Sequence, residues 1–238
     1  MDAFNDLGEG RSSVIRYLIS GLLFFYLSIS NAKEIHVLND LCKEEQSLLG
    51  FFSISDNDQL NQLSQEEQLF CLLSNENKSG FKSQLEQGIT LDVKYKGLYL
   101  ISLAALKEDS YFLKAMIDSK ASLDLVSEYD SSLPTALFYA VFYGREENID
   151  LLISSGADLN VPNDINANVA FYAATINQWD LVYKFLVAGA SYDQPTEWGG
   201  TLIDVADSSF VDKKSDLYIW KTRVINFITA NKADPSLE

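Results

Sequence analysis

From residue 130 onward, apolar positions return in the same order at a fixed interval. Thr135-Ala136-Leu137-Phe138-Tyr139-Ala140 is followed 33 residues later by Asn168-Val169-Ala170-Phe171-Tyr172-Ala173, and after a further 33 by Thr201-Leu202-Ile203-Asp204-Val205-Ala206. Ser155-Gly156-Ala157-Asp158-Leu159-Asn160 pairs in the same way with Ala188-Gly189-Ala190-Ser191-Tyr192-Asp193. Inside each interval two apolar stretches predict two helices. The first is short and rich in Ala, and the second has i, i+3, i+4 spacing, as at Ile149, Leu152 and Ile153. Gly156 and Gly189 stand where a left-handed residue would end the second helix. One such pair cannot bury its own apolar faces, so the period predicts a stacked array.

These residues resemble the ankyrin repeat, whose signature opens Thr-Pro-Leu-His-x-Ala and closes Gly-Ala-Asp-x-Asn. The match is fullest over 130–162, where Asp130, Thr135, Leu137, Ala140, Gly144, Ile149, Leu151, Leu152, Gly156, Ala157, Asp158 and Asn160 fall in register. Over 163–195 the register keeps Ala173, Ala174, Leu181, Val182, Leu186, Gly189 and Ala190, while the opening Thr has become Asn168. A weaker unit, 94–129, puts Lys120 where the closing glycine belongs, and a still weaker one covers 67–93. The last, 196–238, carries about ten extra residues around Asp207–Leu217 before Val224 resumes the second helix. The resemblance implies an all-α ankyrin-repeat solenoid of about five helix-turn-helix units, the first and last degenerate. Residues 33–66 are then an N-terminal cap, with a capping helix over Ile35–Leu49.

The start of the chain reads as an address. Residues 17–28 are uncharged and mostly apolar, Arg11 and Arg16 precede them, and Ser30-Asn31-Ala32 follows. That is the secretory pattern of basic region, short apolar core and small-residue cleavage site, although Asp2, Asp6 and Glu9 make its beginning unusually acidic. Residues 1–32 are expected to be a signal peptide that sends the protein to the periplasm. A retained anchor or an ordinary buried helix is the alternative. Two cysteines, Cys42 and Cys71, remain after cleavage. In an oxidising compartment they are expected to form a disulfide, stabilising the fold by roughly 3–4 kcal/mol through loop closure. Two separate buried thiols are the other reading.

Composition narrows the chemistry. The chain of 238 residues has 34 acidic and 18 basic side chains, net −16. Such a charge repels phosphate backbones and anionic surfaces, which speaks against nucleic acid and membrane partners. The single His36 leaves little for histidine-based catalysis or metal binding. No nucleophile elbow, zinc-protease motif, P-loop or dinucleotide fingerprint occurs. Asp56-Asn57-Asp58 and Glu146-Glu147 lack the ligand spacing of a calcium loop. No catalytic residue, metal or cofactor is expected. Asn77-Lys78-Ser79 is a glycosylation sequon of a length that arises readily by chance.

What is left is surface. In ankyrin arrays the hairpin tips and the ends of the first helices form a concave binding face. By register the tips here are Tyr95 and Lys96, Ser131 and Ser132, Asp164 and Ile165, Glu197 and Trp198. The helix positions are Leu106 and Lys107, Phe142 and Tyr143, Thr175 and Ile176. Aromatic residues there suit protein hot spots, and the acidity suits one basic partner met by a monomer. The leader and single array look like those of Gram-negative periplasmic ankyrin proteins. That likeness allows an immunity protein that neutralises a secreted lipase or wall hydrolase, or a scaffold that supports a resident enzyme such as a catalase. For the cysteines, thiol labelling of protein taken from the periplasm is expected to find none reactive until reductant is added. Two reactive thiols before reduction would end the disulfide reading.

Overall fold

A computed structural model describes residues 63–233. The leader, Cys42 and all but the last four residues of the expected cap lie outside the described residues, so the Cys42–Cys71 pairing is not in view. Cys71 itself is half-buried on the first of the described helices.

Within the described residues five helix pairs follow one another. They are α1 (Gln65–Ser74) with α2 (Lys78–Glu86), α3 (Leu100–Ala105) with α4 (Tyr111–Asp118), and α5 (Ala136–Phe142) with α6 (Glu146–Ser154). Then come α7 (Val169–Thr175) with α8 (Trp179–Val187), and α9 (Leu202–Ser208) with α10 (Asp216–Ala233). The connections between pairs are hairpins. One of them contains two-residue strands, β1 (Lys94–Tyr95) and β2 (Leu98–Tyr99), paired antiparallel with Tyr95 opposite Leu98. The fold is thus an all-α repeat solenoid, as the period predicts.

Local chemistry explains the helix starts. Ser64 and Glu67 make a capping box: the Ser64 Oγ accepts from the Glu67 amide at 3.3 Å, and the Glu67 carboxylate accepts from the Ser64 amide at 2.9 Å. Asn168 replaces the family threonine without loss, because its Oδ1 accepts from the Phe171 amide at 3.0 Å. Thr201 and Asp204 repeat the capping box at α9.

The core runs the length of the array rather than sitting at one centre. Every residue of α3 is buried, as are residues 136–141 of α5 and 169–174 of α7. The second helices are one-sided: α4 buries Phe112, Leu113 and Met116, and α8 buries Leu181, Val182, Phe185 and Leu186. Ala104, Ala105, Ala140, Ala173 and Ala174 keep the paired helices close. Neighbouring units are also tied by polar groups. The buried Asn148 donates to the carbonyls of Ala105 and Lys107, both at 2.8 Å, and Arg145 Nε donates to that of Leu106 at 2.7 Å. The start of α6 therefore closes the carbonyl end of α3.

Two departures from the sequence expectation have physical causes. The last unit does not wait until Val224 to resume its second helix. An ordered turn occupies 209–215 and α10 begins at Asp216, because Trp220 and Lys221 already pack on α8, with the Trp220 ring 5.8 Å from Tyr183. The other departure is Lys120. It takes up the left-handed conformation that ends α4, with φ 66°, matching Gly88, Gly156 and Gly189 in the other units. A side chain there meets its own carbonyl and costs roughly 1–2 kcal/mol. Lys120 is exposed, so Lys120→Gly relieves this strain without opening a cavity. It is expected to stabilise the protein by about 1 kcal/mol, less than the strain itself because glycine also frees the unfolded chain. Urea unfolding should show a higher midpoint; an unchanged or lower one would remove strain at Lys120 from the account.

Candidate functional site

The hairpin tips form one continuous edge, stitched by backbone hydrogen bonds. The Glu128 amide donates to the Gly97 carbonyl at 2.9 Å, the Asp164 amide to that of Ser131 at 3.0 Å, and the Glu197 amide to that of Ile165 at 3.0 Å. The first tip needs its glycine: Gly97 has φ 84°, and a Cβ there would sit 3.1 Å from the Tyr129 nitrogen. Lys96 before it is also left-handed, at 49°. These bonds hold the tip side chains at fixed positions, roughly one repeat apart.

The eight tip residues divide by exposure. Lys96, Ser131, Asp164, Glu197 and Trp198 are open to solvent, Trp198 to 57%. Tyr95, Ser132 and Ile165 are half-buried. Tyr95 rests against Phe70 with ring centres 5.6 Å apart, and the Lys96 ammonium lies 5.4 Å from the Tyr95 ring. Ser131 Oγ donates to the Asp164 carboxylate at 3.2 Å, joining two adjacent tips through their side chains.

The helix-end positions are more enclosed than the family register implies. Leu106 is a correction: only 8% of it is exposed, and it belongs to the core. α3 ends at Ala105, so Leu106 turns inward under Arg145, whose Nε holds its carbonyl. Lys107 is drawn back to the first unit, its ammonium donating to the Ser74 carbonyl at 3.4 Å and lying 3.9 Å from Glu76. Phe142 and Tyr143 are half-buried and packed edge to face at 5.0 Å. Thr175 is exposed, although its hydroxyl is spent on the Tyr172 carbonyl at 2.6 Å, and Ile176 is half-buried.

One acidic group organises the inner side of the third hairpin. Asp130 Oδ1 accepts from the Ser132 amide at 2.9 Å and from its hydroxyl at 2.6 Å. Its charge reaches the phenols of Tyr139, Tyr143 and Tyr172. Burial first, and Asp130 second, holds all three above the ordinary tyrosine range. The sequence reading counted Asp130 as a register residue and missed this role. Its place five positions before Thr135 was the available signal. Among the described residues no group of three His, Cys, Asp or Glu side chains could hold a metal ion. No described helix is long and apolar enough to cross a membrane. The site offers contact surface: exposed Trp198, the half-buried Phe142–Tyr143 pair, and carboxylates at the tips.

Paired antiparallel helices linked by projecting hairpins, stacked at a 33-residue pitch, define a helical repeat protein of the protein-binding kind. Residues 135–164, which take in α5 and α6, match the family model for the ankyrin repeat, which supports an ankyrin-repeat family for this array. Such repeats serve as protein–protein interaction modules. No curated protein matches the chain.

The phenol of Tyr139 is buried without a hydrogen-bond partner. A buried donor left unpaired costs about 1–3 kcal/mol, so Tyr139→Phe should leave the protein equally stable or raise its stability by about 1 kcal/mol. Its raised pKa adds a pH signature. The unfolded phenol ionises near pH 10 while the folded one does not, so stability is full below about pH 10 and falls as pH rises beyond it. Unfolding measured from neutral to alkaline pH should show that decline, with a shallower slope in Tyr139→Phe. A phenylalanine variant that loses several kcal/mol at neutral pH would mean the hydroxyl is bonded after all.

Proposed function

We propose that this is an exported, non-catalytic binding protein that holds one basic protein on its tip row and the adjoining helix ends. We further propose that the bound protein is a toxic secreted hydrolase, which the array neutralises by covering its active-site cleft. The observation that carries this reading is Trp198, a large aromatic side chain 57% exposed at a rigid tip beside Glu197. Exposed tryptophan at a preorganised edge supplies contact area at low entropic cost, as binding hot spots do.

Charge gives the partner its sign. Residues 63–208 contain nine Lys or Arg against 21 Asp or Glu, net −12. Asp164 and Glu197 form no ion pair among the described residues, whereas Asp150, Glu128, Asp109 and Glu108 are each paired with a cation from a neighbouring unit or segment. The tip row thus presents unneutralised carboxylates that attract a basic surface and repel an acidic one. Inhibition by occlusion needs a standard interface of about 1,600 Å², which three or four consecutive tips can provide. Compartment and target come from the leader-like N-terminus and the likeness to periplasmic ankyrin proteins.

The test is to recover the tagged full chain from the periplasm and identify what accompanies it in stoichiometric amount. A basic hydrolase at one-to-one, inactive in the complex, is the expected result. Trp198→Ala should then weaken binding by about 2 kcal/mol, close to thirtyfold. Phe142→Ala should weaken it too, and added salt should slow association. A resident housekeeping enzyme as the stoichiometric partner, or no partner, overturns the inhibitor reading.

A further inference from the structure

The charge of the array is not uniform. Residues 209–233 contain five Lys or Arg against two Asp or Glu, net +3, while residues 63–208 are net −12. The same C-terminal stretch carries three of the six exposed large apolar side chains among the described residues. Phe210 is 93% exposed, Ile219 52% and Leu217 41%. Lys213 and Lys214 follow Phe210 on the same turn and are exposed as well.

This surface is held in place. Lys221, itself buried, donates to the Ser209 carbonyl at 2.7 Å and lies 5.9 Å from the Trp179 ring. Asp212 then shapes the turn, its carboxylate accepting from the Lys214 amide at 3.0 Å and its carbonyl from the Ser215 amide at 2.9 Å. Phe210 and the two lysines are therefore presented by an anchored turn. A phenylalanine kept in water on such a turn forgoes the gain of burying its ring.

The complement lies in the same chain. The tip row offers Asp164 and Glu197, neither of them ion-paired among the described residues, beside the exposed ring of Trp198: carboxylates for the lysines and an aromatic face for Phe210. We propose that the C-terminal unit of one copy docks on the tip row of a second copy, with Phe210, Lys213 and Lys214 seated against Asp164, Glu197 and Trp198. The proposal rests on the tip row being the binding face, and it replaces the expectation of a monomer. Each copy carries one socket and one plug, so the contact is head-to-tail and does not close on itself. A single turn buries little area, so the association is weak and yields to a tighter partner. Two chains of net −16 repel at long range, so the contact needs intermediate salt. At about 0.15 M the screening length is about 8 Å, which suppresses the repulsion between whole molecules more than the attraction between touching groups.

Sedimentation velocity of the exported protein tests this. At about 0.15 M salt the mean sedimentation coefficient should rise from micromolar to near-millimolar concentration, and at about 1 M, where screening reaches 3 Å, the rise should shrink. Lys213→Glu/Lys214→Glu should remain monomeric, and so should Asp164→Lys/Glu197→Lys. Mixed together, these two variants restore opposite charge at both contacts, wild-type plug against wild-type socket and reversed plug against reversed socket, and should associate again. The plug variant retains its tip row, so it should still capture the basic partner; loss of self-association with capture retained separates this proposal from the functional one. Wild type monomeric throughout, association surviving either charge reversal, or a mixture that does not pair overturns the proposal. Monomeric protein that binds anionic vesicles, and loses them in Phe210→Ser, assigns the surface to lipid and overturns it equally.

Discussion

The first helices set the terms for the whole molecule. α3, α5 and α7 have six or seven residues each, far below the length at which a helix persists alone in water. All six residues of α3 and the first six of α5 and α7 are buried, so they are helical only because neighbouring units enclose them. That requirement explains the alanines, which allow close approach on every side. It also explains the roles of Arg145, which precedes α6, and of Asn148 in its first turn, whose side chains take up carbonyls that the short α3 leaves open. A buried carbonyl without a donor would cost about as much as the helix gains from several contacts. Helix burial and carbonyl closure thus act together, and both cross the boundary between units.

That dependence decides what could be read from the sequence. The 33-residue period is legible because Ala140, Gly144 and Gly156 recur at 173, 177 and 189, with only Asn177 changed, and Asn tolerates the left-handed φ of 59°. The helix order and the solenoid follow from that alone. Leu106 was not legible as core: its burial depends on Arg145, 39 residues away. The early start of α10 was hidden for a similar reason. Its first turns are fixed by Tyr183 on α8, whereas the local sequence, with Asp212, Lys213 and Lys214, reads as loop. The tips could be located by register, but their exposure could not, since Tyr95 leans on Phe70 of another unit.

Electrostatics in this array is a matter of placement more than of sum. The pairs Lys78–Asp109, Lys94–Glu128, Arg145–Glu108 and Lys184–Asp150 join consecutive units or their hairpins. Most of these groups are well exposed, so each pair adds little stability. Their consequence is to neutralise carboxylates along the body of the solenoid. The hydrogen bond from Lys78 holds the Asp109 carboxyl below its usual range, keeping that charge engaged. Few lysines are placed at the tips after Lys96, so Asp164 and Glu197 have no ion-pair partner among the described residues. Asp164 and Glu197 thereby put negative charge on the edge that also carries Trp198.

The stitching of the tips bears on how such an edge can discriminate. Backbone bonds between successive hairpins remove most of the freedom that a loop-built site must surrender on binding. With the backbone fixed, adaptation is confined to side chains. A partner that matches the spacing of charge and aromatic surface binds at little entropic cost, and one that does not cannot be accommodated by rearrangement. Repeats that have each drifted from the family pattern follow from this. Asn168, Lys120 and the lengthened last unit keep the scaffold's backbone geometry while every tip carries a different pair of residues. The scaffold is constrained by burial and the edge is not, and that division lets a uniform stack present a surface of individual shape.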